Sequence, residues 1–192
     1  MKRNAKLIGL SGKKGSGKDL FYELFNEIVF GYENKKFADK LKQICSILSG
    51  LPIEYFYNRK KYSIYLENWN MDIRTMMQKV GTEVFRQNFD ENTWAKSLFS
   101  DFKDSKWIIT DVRFLNEVNI IRKYNGILIR IERPNNEKKD NHASEISLDY
   151  YDKWDYKIIN DGSIVDYKNK IRNTIKDIFG NEFEYIQKEI EK

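Results

Sequence analysis

Three features of the sequence give an α/β protein with a parallel sheet covered by helices on both faces. Apolar runs of strand length alternate with stretches of helical periodicity, and each run is followed by a segment able to cross back over the sheet. The third feature is a glycine-rich turn at residues 12–18, set between the first apolar run and the first amphipathic stretch.

At 192 residues the chain can bury one good core, and no Pro/Gly/Ser-rich linker divides it, so residues 1–192 read as a single domain with insertions. A net charge of +5 suits an anionic partner, either a nucleotide or a nucleic acid. The lysines are spread along the chain without a block of five like charges, which is how a solvated surface looks. No apolar run approaches membrane-spanning length, and the apolar part of the N-terminus is too short for a secretory signal, so a cytoplasmic protein is expected. The lone Cys45 forms no internal disulfide, in keeping with a reducing compartment, and reads as a small core residue. A single histidine, His142, excludes a metal cluster or catalytic triad built on several histidines.

The chain opens with Leu7, Ile8 and Leu10, an apolar run fit for a buried strand. Gly12, four residues, Gly17 and Lys18 then match the first seven positions of a phosphate-binding loop. In that loop glycines let backbone N–H groups converge on a phosphate while lysine reaches its outer oxygens. The helix that follows adds its N-terminal N–H groups and positive dipole end. At the eighth position Asp19 replaces the usual Ser or Thr, a harder magnesium ligand that also brings negative charge near the phosphates. The bland alternative is a strand-to-helix turn that binds nothing. Leu20, Phe21, Leu24, Phe25, Ile28 and Val29 give the helix one apolar face, and Gly31 fits its end.

A second short strand is expected at 35–38. Asp39–Ser49 reads as a helix with Leu41, Ile44, Cys45 and Leu48 on one side, broken by Gly50 and Pro52. Residues 53–70, rich in Tyr, Lys and Asn, carry no assignable period. In the helix at 72–87, Ile73, Met76, Met77, Val80 and Val84 share one arc, which reads as the core face. Arg74, Gln78, Gly81, Thr82, Phe85 and Arg86 share another, a set suited to a base and a phosphate or else to a solvated face.

Residues 92–102 continue as helix with Trp94, Leu98 and Phe99 at core spacing, and 107–110 is a strongly apolar strand running into Asp111. An acidic residue at the end of a buried strand, after a phosphate-binding loop, is placed for a magnesium shell, and Arg113 follows on the same rim. Alternatively Asp111 caps the next helix and Arg113 is a surface residue. That helix spans 114–124, the next strand 127–132, and Arg133-Pro134 stops it. The polar, basic segment 133–144 reads as a loop. It is either an idle surface loop or a lid whose Arg133, Lys138 or Lys139 would reach a transferring phosphoryl group. A last strand at 156–160, an Asp161-Gly162 turn and a closing helix at 164–179 finish the fold, leaving 181–192 charged.

On LIGLSGKKGSGKD at 7–19, FADKLK at 37–42, RTMMQKVGTEVFRQ at 74–87, WIITDVRFLNE at 107–117, and HASE at 142–145 before YKIINDG, the sequence resembles a known family. That family is the deoxynucleoside monophosphate kinases of tailed bacteriophages, in the P-loop nucleoside monophosphate kinase superfamily. Aspartate after the loop lysine is characteristic of this group and of animal-type phosphomevalonate kinases. The resemblance implies a five-stranded parallel sheet, a helical substrate-binding insertion at about 39–105 and a lid at about 133–146. It implies that Lys13, Lys14, Gly15, Ser16, Gly17, Lys18 and Asp19 hold the ATP phosphates, with Lys18, Asp111, Arg113 and Arg133 around the reacting groups. Lys13, Lys42, Arg74, Arg86, Arg113 and Glu145 would serve the acceptor, Gln78 and Thr82 would lie near its base, and Asp19 and Asp111 would contact magnesium. Leu20 stands where many members have threonine, which removes one hydroxyl ligand.

The expected activity is ATP-dependent phosphorylation of a deoxynucleoside monophosphate, with magnesium as cofactor and small molecules as partners. Neither a membrane nor stable nucleic-acid binding is expected, a phage-encoded chain would work in the host cytoplasm, and a homodimer is compatible with the sequence. The rival readings are a phosphomevalonate- or dephospho-coenzyme A-type kinase, and a basic nucleic-acid-binding protein whose loop grips backbone phosphate.

Overall fold

The computed structural model describes residues 4–103, 105–134 and 146–184. These form two compact units, one from the described residues up to Lys35 and from Lys103 onward, the other from Lys36–Phe102.

In the first unit, β1 (Asn4–Ser11) buries Leu7, Ile8 and Leu10 completely, as its unbroken apolar run requires of a central strand. Helix α1 (Lys18–Asn26) buries Phe21, Leu24 and Phe25, the residues its 3.6 period puts on one face. The next strand, β2, is Glu33–Lys35, earlier than the 35–38 expected from sequence. Its pairing with the neighbouring strand ends at Lys35, and Phe37 is instead a core residue of the second unit, its ring stacked 6.3 Å from that of Phe99.

The second unit begins with α2 (Asp39–Ser49), closed by Gly50 at φ 72°. Cys45 is buried with Phe56, Leu66, Ile73 and Met76, but Leu48 is exposed because it faces away from this small core. The unassignable stretch 53–70 holds elements too short to show a period: α3 (Glu54–Tyr57), a 3₁₀ turn at Arg59–Lys61, and one strand of a ribbon. The ribbon pairs β3 (Tyr65–Leu66) antiparallel with β4 (Met71–Asp72), and Asn70 turns between them at φ 50°.

Helix α4 (Ile73–Gln78) starts at Asp72, whose carboxylate accepts from the Thr75 N–H at 2.7 Å. It runs straight into a π-helical segment, Lys79–Gln87. This corrects the single helical wheel drawn over 72–87. A π-helix closes i→i+5 rings, so each residue turns less than in an α-helix and the apolar arc drifts. Ile73 and Met76, ahead of the change, are buried as expected; Val84, beyond it, is 52% exposed, and Gly81 turns inward. The unit ends with α5 (Thr93–Phe99), which buries Trp94 and Phe99.

The chain returns to the first unit as β5 (Trp107–Val112), α6 (Leu115–Lys123), β6 (Gly126–Glu132), β7 (Tyr156–Ile159) and α7 (Ile164–Phe179). The five long-sheet strands lie in the order β2-β5-β1-β6-β7, all parallel. One core holds the sheet's Ile8, Ile108 and Ile129 with Phe21 and Phe25 of α1 and Tyr167 and Ile171 of α7. In the segment expected to be a lid, Arg133 and Pro134 are described, while Lys138, Lys139, His142 and Glu145 lie outside the described residues.

Candidate active site

The parallel order brings three strand ends to one edge of the first unit. Ser11, at the end of β1, stands between Val112 of β5 and Arg130 of β6 in the two registers. Asp111 and Arg113 flank Val112 on the chain, so the acidic residue and the arginine expected at the rim share the edge from which the glycine loop springs. This is the edge where open α/β sheets bind ligands.

The loop folds back on its own lysine. Lys18 Nζ donates to the Gly12 carbonyl at 2.6 Å and the Lys13 carbonyl at 2.9 Å, and lies 3.4 Å from Ser16 Oγ. Lys18 is only 8% exposed, so its charge is compensated by loop carbonyls rather than by water. Helix α1 opens at Gly17 with no side-chain cap, and helix geometry directs its first-turn N–H groups back along the axis toward the loop. Gly17 sits at φ 104°, a conformation that disfavours a side chain, and a Cβ there would come 2.6 Å from Asn160 Nδ2. Lys14 and Gly15 in the loop and Asp19 in the first turn of α1 are exposed.

Lys13 is held by a residue that the sequence did not suggest. Its ammonium is 2.7 Å from Asp149 Oδ2, and Asp149 also faces the Arg130 guanidinium at 3.8 Å. Arg130 in turn donates to Ser11 Oγ at 3.1 Å and lies 5.6 Å from the centre of the Trp154 ring. A cation inside the apolar run ILIRIE was the available signal for Arg130; nothing local announced Asp149.

Arg113 is set by Glu117. The Glu117 carboxylate, in a residue only 2% exposed, accepts the backbone N–H groups of Arg113 at 2.7 Å and of Phe114 at 3.1 Å. Glu117 thus caps the start of α6 from within the helix's own first turn. Among the described residues no group of three or more His, Cys, Asp or Glu could hold a metal ion.

In the second unit, Lys42 on α2 lies 4.0 Å above the Tyr57 ring, and the Tyr57 hydroxyl donates to Asp39 at 2.8 Å. Arg74 and Gln78 on α4, with Thr82 and Arg86 on the π-helical segment, are half-buried, and Arg86 donates to the Glu91 carbonyl at 3.3 Å. Gly81 does not belong with them. Its open side admits Leu41, whose Cδ2 would be 2.8 Å from a Cβ, and its carbonyl accepts from Trp94 Nε1 at 3.0 Å.

A parallel five-stranded sheet whose first strand and helix are joined by a lysine-bearing glycine loop defines the P-loop class of α/β proteins. Within it, the chain belongs to the deoxynucleotide monophosphate kinase family, whose model matches residues 49–171. It is 30% identical to a putative deoxynucleotide monophosphate kinase of Acanthamoeba polyphaga mimivirus, over 86% of this chain and 93% of that protein. It is 32% identical to the deoxynucleotide monophosphate kinase of Enterobacteria phage T4, over 57% of this chain but 47% of that protein. For the Escherichia phage RB69 enzyme of the same name the identity is 29%, over 68% of this chain and 58% of that protein. A dephospho-CoA kinase structure from Campylobacter jejuni aligns with a TM-score of 0.47 at 16% identity, over 89% of this chain and 96% of that one. No helix among the described residues is long and apolar enough to cross a membrane.

Proposed function

We propose that the protein transfers the γ-phosphoryl group of ATP to a deoxynucleoside 5′-monophosphate, giving the diphosphate and ADP in the cytoplasm. The observation that carries this reading is the Lys18 ammonium drawn inside the glycine loop of a chain belonging to this kinase family. On binding ATP, residues 13–19 would cradle the phosphates through backbone N–H groups, and Lys18 would exchange the Gly12 and Lys13 carbonyls for phosphate oxygens. Both partners are acceptors, so the lysine changes ligands without losing charge compensation.

The acceptor oxygen belongs to a phosphate and is already anionic. No strong general base is then needed, and catalysis rests on alignment and on spreading negative charge among Lys18, Arg113 and Arg133. We assign Lys42, Arg74 and Arg86 to the acceptor phosphate, Gln78 and Thr82 to the neighbourhood of its base, and Lys13, Arg113 and Glu145 to further substrate contacts. Residues 39–105 serve in this reading as the acceptor-binding insertion of a single kinase domain, and 133–146 as its lid. Asp19 and Asp111 are hard oxygen donors, and a pair of carboxylates suits magnesium, which keeps several waters and takes its other ligands from phosphate. Bound there, the ion would neutralise phosphate charge.

The test is ADP formation with ATP and magnesium against dGMP, dTMP, dCMP, their ribonucleotide counterparts, phosphomevalonate and dephospho-coenzyme A. Turnover with one or more deoxynucleotides and little with the last two is expected. No ADP from any nucleotide acceptor would overturn the reading.

A further inference from the structure

The phosphate loop is braced from behind by two side chains that the site described above does not use. Asn160, at the end of β7 and only 6% exposed, donates from Nδ2 to the Ser16 carbonyl at 3.0 Å. Tyr167 on α7, 1% exposed, donates its hydroxyl to the Gly17 carbonyl at 3.2 Å. That carbonyl also accepts the Phe21 N–H at 2.8 Å, so both of its lone pairs are engaged. Burial drives the Tyr167 phenol pKa upward, which keeps it a donor at any physiological pH.

The geometry points to Asn160, assisted by Tyr167, as a positioning residue that sets the aim of the loop's phosphate-binding N–H groups. A peptide unit is planar and trans, so the N–H of one residue is directed opposite to the carbonyl of the residue before it. Tying the Ser16 carbonyl to Asn160 turns the Gly17 N–H away from Asn160, and tying the Gly17 carbonyl to Tyr167 does the same for the Lys18 N–H. These two N–H groups open α1, where an anion is best received. The brace also explains the glycine at 17, because a Cβ there would meet Asn160 Nδ2 at 2.6 Å and the Tyr167 ring at 3.4 Å. Asn160 itself is fixed by its backbone N–H, which donates to the Glu132 carbonyl at 2.7 Å. Donors held in place before the ligand arrives need no reorganisation when it binds.

This inference rests on the reading that the loop receives the ATP phosphates, and the test separates the two. Calorimetry with inorganic tripolyphosphate and with ATP, together with kcat and KM for ATP and for dGMP, dTMP or dCMP, compares wild type with Asn160→Ala, Asn160→Asp and Tyr167→Phe. Thermal unfolding is followed alongside. We expect Asn160→Ala to weaken tripolyphosphate binding about tenfold, matching the loss of a buried hydrogen bond, and Tyr167→Phe to weaken it about threefold. KM for ATP should rise in step while KM for the acceptor stays within twofold.

Asn160→Asp supplies a signature that a merely structural role lacks. Ionised, its carboxylate faces the Ser16 carbonyl with no proton to donate; protonated, it donates again. Its affinity relative to wild type should therefore recover as pH falls, whereas that of Asn160→Ala should not. If the Asn160 variants do not fold, Tyr167→Phe, which keeps the ring and its packing, decides the matter. Variants that fold and bind tripolyphosphate like wild type at every pH would overturn the brace and leave the kinase reading standing. A wild-type protein that binds neither tripolyphosphate nor ATP would overturn both.

Discussion

Lys13 and Asp149 meet across 136 residues of sequence, the lysine ammonium 2.7 Å from one carboxylate oxygen, at the lip of the glycine loop. Their side chains are 43% and 35% exposed, so the pair is solvated and contributes no more than about 1 kcal/mol to stability. Its consequence is electrostatic. Asp149 also faces Arg130 at 3.8 Å, and one carboxylate therefore offsets two cations, Lys13 of the loop and Arg130 of β6. Asp149→Asn should leave Tm within about 3 °C of wild type while tightening ATP binding roughly 3- to 10-fold at low salt, a gain that shrinks as salt is raised. Unchanged or weaker binding, measured by calorimetry at two ionic strengths, would show that the carboxylate does not oppose the phosphates.

Lys18 is the residue whose loss should cost most. Its Nζ satisfies the Gly12 and Lys13 carbonyls in this structure and the phosphates in the proposed complex, so Lys18→Ala affects both stability and rate. Losing hydrogen bonds from a charged donor costs about 1.5–3 kcal/mol, a drop of several degrees in Tm with cooperative unfolding retained. Removing a preorganised donor from the developing charge should lower kcat by about 10²–10³-fold. A folded Lys18→Ala protein with near-normal turnover would remove this lysine from the mechanism.

What was legible in the sequence is what depends on local pattern. Leu7, Ile8 and Leu10 mark a buried strand, residues 12–18 a phosphate loop, and Trp107 to Thr110 the neighbouring strand, because each signal lies within a few residues of chain. Val84 was misread as core and Gly81 as part of a binding face for one reason. The helical period changes at Lys79, and sequence alone does not mark where an α-helix widens into a π-helix. Asp149, Asn160 and Glu117 were invisible as site residues for a different reason. Asp149 and Asn160 act on groups that folding brings from more than a hundred residues away, while Glu117 acts only three and four residues back; Asn160 and Glu117 both bind backbone, which carries no side-chain signal.

The start of α4 gives a pH-dependent contribution with a definite sign. Asp72 accepts the Thr75 N–H at 2.7 Å, and that backbone bond holds its carboxyl below the ordinary carboxylate range. A folded-state value below the unfolded one means that the cap stabilises fully above the unfolded value of about 3.9 and is lost as pH falls through the folded one. Asp72→Ala should cost about 0.5–2 kcal/mol near neutrality, and Asp72→Asn only a fraction of that, since an amide oxygen still caps. In urea titrations across pH, wild type and Asp72→Ala should converge at acid pH. A gap that persists undiminished below the carboxylate range would assign the cost to something other than the cap.

Cys45 reports on the integrity of the second unit. It is fully buried among Phe56, Leu66, Ile73 and Met76, and burial pushes its thiol pKa up to about 12. The thiolate that reacts with disulfide reagents is thus scarce for two reasons at neutral pH, since the group is both protonated and covered. Modification by a soluble disulfide reagent should be slow in buffer, accelerate with urea in proportion to the opening equilibrium, and become immediate once the protein unfolds. The same probe bears on acceptor binding. Cys45 shares α2 with Lys42, so a deoxynucleoside monophosphate that engages this unit stabilises the closed form and slows labelling by the factor 1 + [L]/Kd. Instant labelling of the native protein would contradict the burial of Cys45, whereas slow labelling that is indifferent to every deoxynucleotide would move the acceptor away from this helix.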